Sequence, residues 1–390
     1  MNEGAPILLP GATLGVLGGG QLGRMFVHAA QEMGYFTAVL DPDADSPAGR
    51  VSHHHVHADY LDGDGLARLS NLADAVTTEF ENVPADALAS LAGDHPVSPA
   101  AEAVAIVQDR IREKGHFVRC GVPCAPYAVI EKRDHLAAVS ADLLPGILKT
   151  ARLGYDGKGQ QRVSSKAELD AAWQAVGEVP CVLEKMLDLA YECSVIVARG
   201  RDGRDVHFAP QRNLHRDGIL AVTQAWPGCM PADIAQRALD AARAIAQGLD
   251  YVGVLCVEFF VLADGALVVN EMAPRPHNSG HYTLDACDIS QFELQVRTMA
   301  GLPLTVPRQH SAAIMLNLLG DLWLAQGANP VEPPWRDVLA LPGTHLHLYG
   351  KVEPRAGRKM GHLNITGASV ETVQAVAAQA AALLGLPAPL

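Results

Sequence analysis

Hydrophobic positions along the first forty residues change period twice. Residues 12–17 read as a short buried strand, 24–33 repeat at helical spacing, and 36–40 return to the pattern of a strand. Between the first two lies Gly18-Gly19-Gly20-Gln21-Leu22-Gly23, a G-x-G-x-x-G turn, so the chain opens on an α/β unit. The glycines of such a turn let a phosphate approach backbone N–H groups at a helix N-terminus, where the partial positive charge favours anions. Asp41, ending the second strand, sits where a dinucleotide-binding fold carries its ribose-binding acid. Many α/β domains use this turn only to pack a helix on a strand, so the turn alone leaves both readings open.

Residues 75–83 read as a strand entering a polar loop, with Glu79 and Glu81 on one side if the strand persists. Composition changes after Pro96-Val97-Ser98-Pro99, where a first domain closes, and 102–120 read as one helical stretch. Further on, 147–150 form a strand carrying Lys149, a compact charge suited to phosphate oxygens. Gly154-Tyr155-Asp156-Gly157-Lys158-Gly159-Gln160 follows, a glycine-rich hairpin loop able to wrap a polyphosphate but not matching the Walker pattern. Residues 181–186 are a strand feeding Leu187, a hinge whose backbone can hydrogen-bond an adenine edge, and 232–249 form an amphipathic scaffold helix.

Two apolar strands, 257–262 and 266–271, flank Ala263-Asp264-Gly265. With Asp264-Gly265 as a two-residue type I′ loop, Ala263 pairs with Ala266 and Glu258 falls opposite Glu271. Opposed Cβ atoms lie roughly 4.5–5.5 Å apart, where like charges repel. A hard divalent cation converts that repulsion into coordination, and Mg²⁺ commonly takes one or two carboxylates plus substrate phosphates. A solvated hairpin with two exposed acids is the alternative, disfavoured by the apolar strands. A regular strand turns Asn270 to the face opposite Glu271.

Composition narrows the class. At 390 residues two or three domains are expected, and 49% apolar with 19% charged residues marks a soluble globular chain. An excess of acids, 43 against 30 basic residues, argues against non-specific binding to nucleic acid or anionic membrane. Seven cysteines without a C-x-x-C pair fit reduced thiols, and neither a leader nor an apolar run of membrane length is seen, so a cytoplasmic location is expected. His53, His54, His55 and His57 lack a partner at ligand spacing and read as an exposed loop.

The order of these features resembles the ATP-grasp superfamily, with an α/β fold: an N-terminal parallel-sheet domain (1–109), an ATP-grasp region (110–306, its lid about 125–188) and a small C-terminal domain (307–390). Four segments, 18–25, 78–83, 154–160 and 270–281, are similar to the N5-carboxyaminoimidazole ribonucleotide synthetase family. The resemblance implies an ATP- and Mg²⁺-dependent ligase that carboxylates 5-aminoimidazole ribonucleotide with bicarbonate through carboxyphosphate, acting as a homodimer. It further implies that Arg110, Lys149, residues 154–160 (Gly154, Tyr155, Asp156, Gly157, Lys158, Gly159, Gln160), Glu184, Lys185, Met186, Leu187, Glu192, His215, Asn270 and Glu271 hold ATP, and Glu258 and Glu271 the metal. Gly20, Gln21, Leu22, Glu79, Tyr155, Asn278, Lys351 and Arg358 would hold the ribonucleotide. Asp156, Lys158, Arg275 and His277 would be catalytic, Arg275 through stabilising developing charge. Rival readings are a formate-using glycinamide ribonucleotide transformylase, a biotin carboxylase and, from another class, an NAD-dependent dehydrogenase resting on 18–23 and Asp41 alone.

Overall fold

The computed structural model describes residues 7–152, 154, 159–325, 327 and 329–389; Tyr155, Asp156, Gly157 and Lys158 lie outside the described residues. The N-terminal sheet is parallel, in the order β3-β2-β1-β4, with β1 Thr13–Leu17, β2 Phe36–Asp41, β3 His54–His57 and β4 Ala75–Thr78. Leu14, Val16, Leu17, Val39 and Leu40 are fully buried, as expected of a parallel sheet covered on both faces. The helix Gln21–Glu32 covers one face with Leu22, Met25, Phe26 and Ala30.

Three local expectations are corrected here. The histidine run is an edge strand, not a loop: 54–57 pair with β2, and His53 Nδ1 accepts the Thr37 N–H at 3.2 Å. The single helix over 102–120 is two, Ala101–Val107 and Arg110–Arg119, because Asp109 caps the second by accepting the Ile111 and Arg112 N–H groups. The strand over 75–83 stops at Thr78, so Glu79 and Glu81 do not share a strand face.

A small antiparallel sheet follows, ordered β5-β8-β6-β7: β5 Tyr127–Ile130, β6 Gly146–Thr150, β7 Gln160–Val163 and β8 Cys181–Lys185. It has its own core around Ile130, Leu148, Trp173 and Leu183. The third sheet is the largest: β9 Leu189–Arg199, β10 Asp205–His207, β11 Gln211–Arg216, β12 Ile219–Ala225, β13 Gly253–Leu262, β14 Leu267–Ala273, β15 Ala312–Leu319, β16 Thr344–Leu348 and β17 Lys359–Gly367. Its path is β14-β13-β9-β11-β12-β15-β17-β16, with β10 on β9. Alternation assigns its faces. Val195, Val197, Leu255 and Val257 pack under the helix Ala232–Gly248, while Ile196, Ala198, Val254 and Cys256 join Leu294 of the helix Gln291–Ala300. The C-terminal strands extend this same sheet, since β15 pairs with β12. Among the described residues, no helix is long and apolar enough to cross a membrane.

Candidate active site

Glu258 and Glu271 are directly paired on β13 and β14. The pair arises by two offsets that cancel. The turn has three residues, not two: the Leu262 N–H donates to the Ala266 carbonyl at 2.8 Å, the Gly265 N–H to the Leu262 carbonyl at 2.9 Å, and Gly265 takes the left-handed conformation at φ 82°. This is the type I turn with a following left-handed residue, and the Ala266 N–H on Asp264 Oδ1 at 2.9 Å supports it. Phe259 then pairs with Val269, and a bulge inserts Asn270 before Glu271. A bulge sets two residues against one. Asn270 therefore joins Glu258 and Glu271 on the wall of one cleft of about 740 Å³, correcting the expectation that it faces away.

The helix Arg110–Arg119 grips this bulge from behind with residues at positions i, i+3 and i+4. Arg110 Nη2 lies 3.5 Å from Glu271 Oε2, Glu113 Oε1 accepts the Met272 N–H at 2.8 Å, and Lys114 Nζ donates to the Asn270 carbonyl at 3.3 Å. Glu113 and Lys114 were not singled out in the sequence; their spacing to Asp109 is the only signal, and it reads as an ordinary capped helix. Lys114 and Lys149 also meet Glu184, at 3.3 and 3.0 Å, with Arg110 at 3.9 Å. Burial pushes the Glu184 carboxyl up, but these three cations outweigh it and hold it down at about 2. Glu184 thus faces a buried cationic cluster, not the hinge. Nearby, burial pushes Glu113 up to about 7 against the pull of Arg110. At the hinge, the Lys185 and Met186 N–H groups donate to Pro126 and Pro145 carbonyls, leaving the Leu187 amide without a partner among the described residues.

At the N-terminal turn the amides are already engaged. Glu79 accepts the Gly20 and Gly23 N–H groups at 2.9 and 3.0 Å, so Gly20 is held from inside the protein. Asp41 accepts the Gly19 N–H at 2.6 Å, the Tyr60 hydroxyl at 2.7 Å and the Asp43 N–H at 2.8 Å. Three internal bonds on a buried carboxylate give Asp41 a structural role, which weakens the support for a dinucleotide site. Gln21 and Leu22 line the cleft beside Glu79.

Arg275, His277 and Asn278 complete the wall, with Gly154, Gly159, Gln160, Glu192 and His215. Glu81 holds Arg275 Nε at 2.5 Å, and Glu192 holds His215 Nδ1 at 2.7 Å. Burial, reinforced by the Arg275 charge, keeps the His277 imidazole well below its ordinary range, hence neutral. Both amide atoms of Asn278 are buried without partners. Lys351 stands behind the cleft wall, donating to Gln21 Oε1 and the Lys359 carbonyl, both at 2.8 Å. Arg358 donates to the Glu353 carbonyl at 2.7 Å, and its neighbour Lys359 lines the cleft instead.

The hairpin fits a hard cation. Glu258 Oε1 and Asn270 Oδ1 are buried without hydrogen-bond partners, and burial together with the Glu271 charge pushes the Glu258 carboxyl up to about 8. Carboxyl oxygens that share a proton until a cation displaces it suit Mg²⁺.

A parallel N-terminal sheet, a small lid sheet and a large sheet bearing paired acids define an ATP-grasp enzyme. Family models agree: the ribonucleotide synthetase preATP-grasp domain matches residues 11–108, the ATP-grasp domain 115–292, and the phosphoribosylaminoimidazole carboxylase C-terminal domain 313–376. The chain is 45% identical to the N5-carboxyaminoimidazole ribonucleotide synthase of Brucella melitensis, covering 91% of this chain and 96% of that one, and 41% identical to that of Bacillus subtilis, covering 92% of each. A solved structure of the Staphylococcus aureus synthetase complexed with ADP superposes at TM-score 0.88 with 36% identity, over 97% of this chain and 99% of that one. The Aspergillus clavatus synthase, in complex with ADP and 5-aminoimidazole ribonucleotide, gives 0.86 and 30%, over 96% and 99%. The chain belongs to the N5-carboxyaminoimidazole ribonucleotide synthase family.

Proposed function

We infer that the chain carboxylates 5-aminoimidazole ribonucleotide in an ATP-dependent ligation of purine biosynthesis, forming N5-carboxyaminoimidazole ribonucleotide, ADP and phosphate. One observation carries this reading beyond family membership: the paired acids, Arg275 and the glycine-turn residues Gln21 and Leu22 share a single cleft. A nucleotide-metal site and an acceptor site therefore open onto the same space.

Bicarbonate is the carboxyl source in this reading, activated as carboxyphosphate. Glu258, Glu271 and Asn270 hold Mg²⁺, which neutralises phosphate charge when bound. Lys149 and Arg110 exchange Glu184 for phosphate oxygens, and Leu187 offers its amide to the adenine edge. Arg275, oriented by Glu81, steadies negative charge on the carboxyl carrier. Asn278 orients the ribonucleotide, and neutral His277 is available to take a proton from its amine. Asp156 and Lys158 keep the lid roles that the family resemblance gives them. The working units are 1–109, 110–306 and 307–390, and the protein acts as a cytoplasmic homodimer.

The test is ADP release with ATP, Mg²⁺ and bicarbonate, with and without the ribonucleotide, alongside formate with glycinamide ribonucleotide. Release stimulated only by the second pair, or measurable NAD binding, would overturn the assignment.

A further inference from the structure

The catalytic run 277–281 hangs from one side chain. Gln291 is fully buried at the start of the helix Gln291–Ala300. Its Oε1 accepts the His277 N–H at 2.9 Å, while its Nε2 donates to the His277 carbonyl at 2.8 Å and meets His281 Nδ1 at 3.2 Å. A backbone N–H only donates and a carbonyl only accepts, so the two His277 contacts fix which end of the amide is nitrogen. That nitrogen only donates. His281 Nδ1 is therefore the acceptor, and the neutral ring carries its hydrogen on Nε2.

His281 is 1% exposed and lies on the cleft wall, yet its Nε2 has no partner among the described residues. A donor left over on a cleft-lining side chain is free to serve a ligand oxygen. The ring is also held in place, stacked on Phe292 at 5.8 Å and against His362 at 4.6 Å. One turn along the same helix, Gln295 donates to Thr77 Oγ1 at 3.2 Å, two residues before Glu79. The helix thus sets the 277–281 run in register with the N-terminal sheet.

We propose that His281 binds substrate, donating its Nε2 hydrogen to an oxygen of the acceptor ribonucleotide or of the carboxyl group being transferred, and that Gln291 is the positioning residue that fixes its tautomer. The inference rests on the carboxylation reading and adds to it a donor at the acceptor end of the cleft.

Two-bond ¹H–¹⁵N spectra of the histidine-labelled parent, with His281 assigned by its loss in His281→Gln, should show the Nε2–H tautomer. The Nδ1–H tautomer would overturn the proposal without any turnover being measured. In kinetics, His281→Phe should raise KM for the ribonucleotide or for bicarbonate at least tenfold, the affected substrate naming the oxygen. ADP affinity by calorimetry should stay within threefold. His281→Gln, whose amide nitrogen can occupy the place of Nε2, should recover part of the loss. Gln291→Glu presents an acceptor to Nδ1 and should reproduce the His281→Phe defect while shifting the tautomer. Unchanged KM values in His281→Phe would overturn the proposal. If Gln291→Glu fails to fold, the parent spectrum and the two His281 variants still decide it. A parent that makes no carboxylated product defeats the carboxylation reading and the substrate half of this proposal together, leaving only the tautomer.

Discussion

Paired carboxylates in a buried setting dominate the behaviour of single residues here. Because Glu271 adds to the burial that pushes Glu258 up to about 8, Glu271→Gln relieves repulsion in the free protein while removing a metal ligand. Turnover is expected to fall at least a hundredfold, with the thermal midpoint of the free protein unchanged or higher; near-parent turnover at saturating Mg²⁺ would refute the assignment. Lys114 has the opposite character. It is one of three cations on Glu184, and stripping a partner from a buried ion pair costs on the order of 3–5 kcal/mol. Lys114→Met is expected to lower stability toward the small end of that range, since Lys149 and Arg110 remain, and urea titration measures it. Glu184 itself sets an acid limit. Its folded value of about 2 lies below the unfolded value of 4.5, so its contribution is present above pH 4.5 and is lost as pH falls toward 2.

At the level of elements, the hairpin shows what was legible in the sequence and what was not. Counting back from Asp264-Gly265 names the correct pair, because a loop one residue longer and a bulge one residue wide displace the register in opposite senses. Neither irregularity has a signature in the apolar alternation of 257–262 and 266–271. The bulge depends on Glu113 and Lys114, more than 150 residues away, reaching Met272 and Asn270. Glu79 was misplaced for a similar reason, since its destination is the set of glycine amides on another strand's turn. Deleting Asn270 should therefore leave Glu258 opposite Glu271 on a regular hairpin while removing the amide oxygen and the Lys114 contact. The gain in ADP affinity on adding Mg²⁺ is expected to shrink about tenfold, with metal-free ADP binding little changed. Calorimetry with and without the cation checks both. Deleting Ala263 instead leaves Asp264-Gly265 as a two-residue loop between Leu262 and Ala266, so the pairing and the gain should both persist.

Across the whole molecule, the expected division at 307 contrasts with a sheet that continues through it, because β15 bonds to β12 some ninety residues earlier, a partner no local pattern specifies. The three-part order was nonetheless readable from the glycine turn, the lid strands and the 270–281 run. Burial keeps His281 and His362 well below the ordinary histidine range in the folded chain. Their folded values are depressed, so the stability they contribute is present above the unfolded value near 6.5 and is lost as pH falls below it. Unfolding below pH 6 should take up about two protons at these sites, seen as a falling urea midpoint that flattens in His362→Phe.

The chain enters the lid sheet at Pro126 and leaves it after Lys185, and the Lys185 amide bonds the Pro126 carbonyl at 2.9 Å. Entry and exit are thus stitched together, which makes the β5–β8 sheet an insertion in the chain between the helix Arg110–Arg119 and the large sheet. From this insertion Glu184 reaches back to Arg110 and Lys114, the Ala151 carbonyl accepts the Arg110 N–H at 2.8 Å, and Arg152 meets Asp109 at 3.1 Å. A lid exchanged between relatives as one cassette from Pro126 to Lys185, with Lys149, Arg152 and Glu184 kept, should carry its nucleotide preference to the new host and leave the acceptor end unaltered.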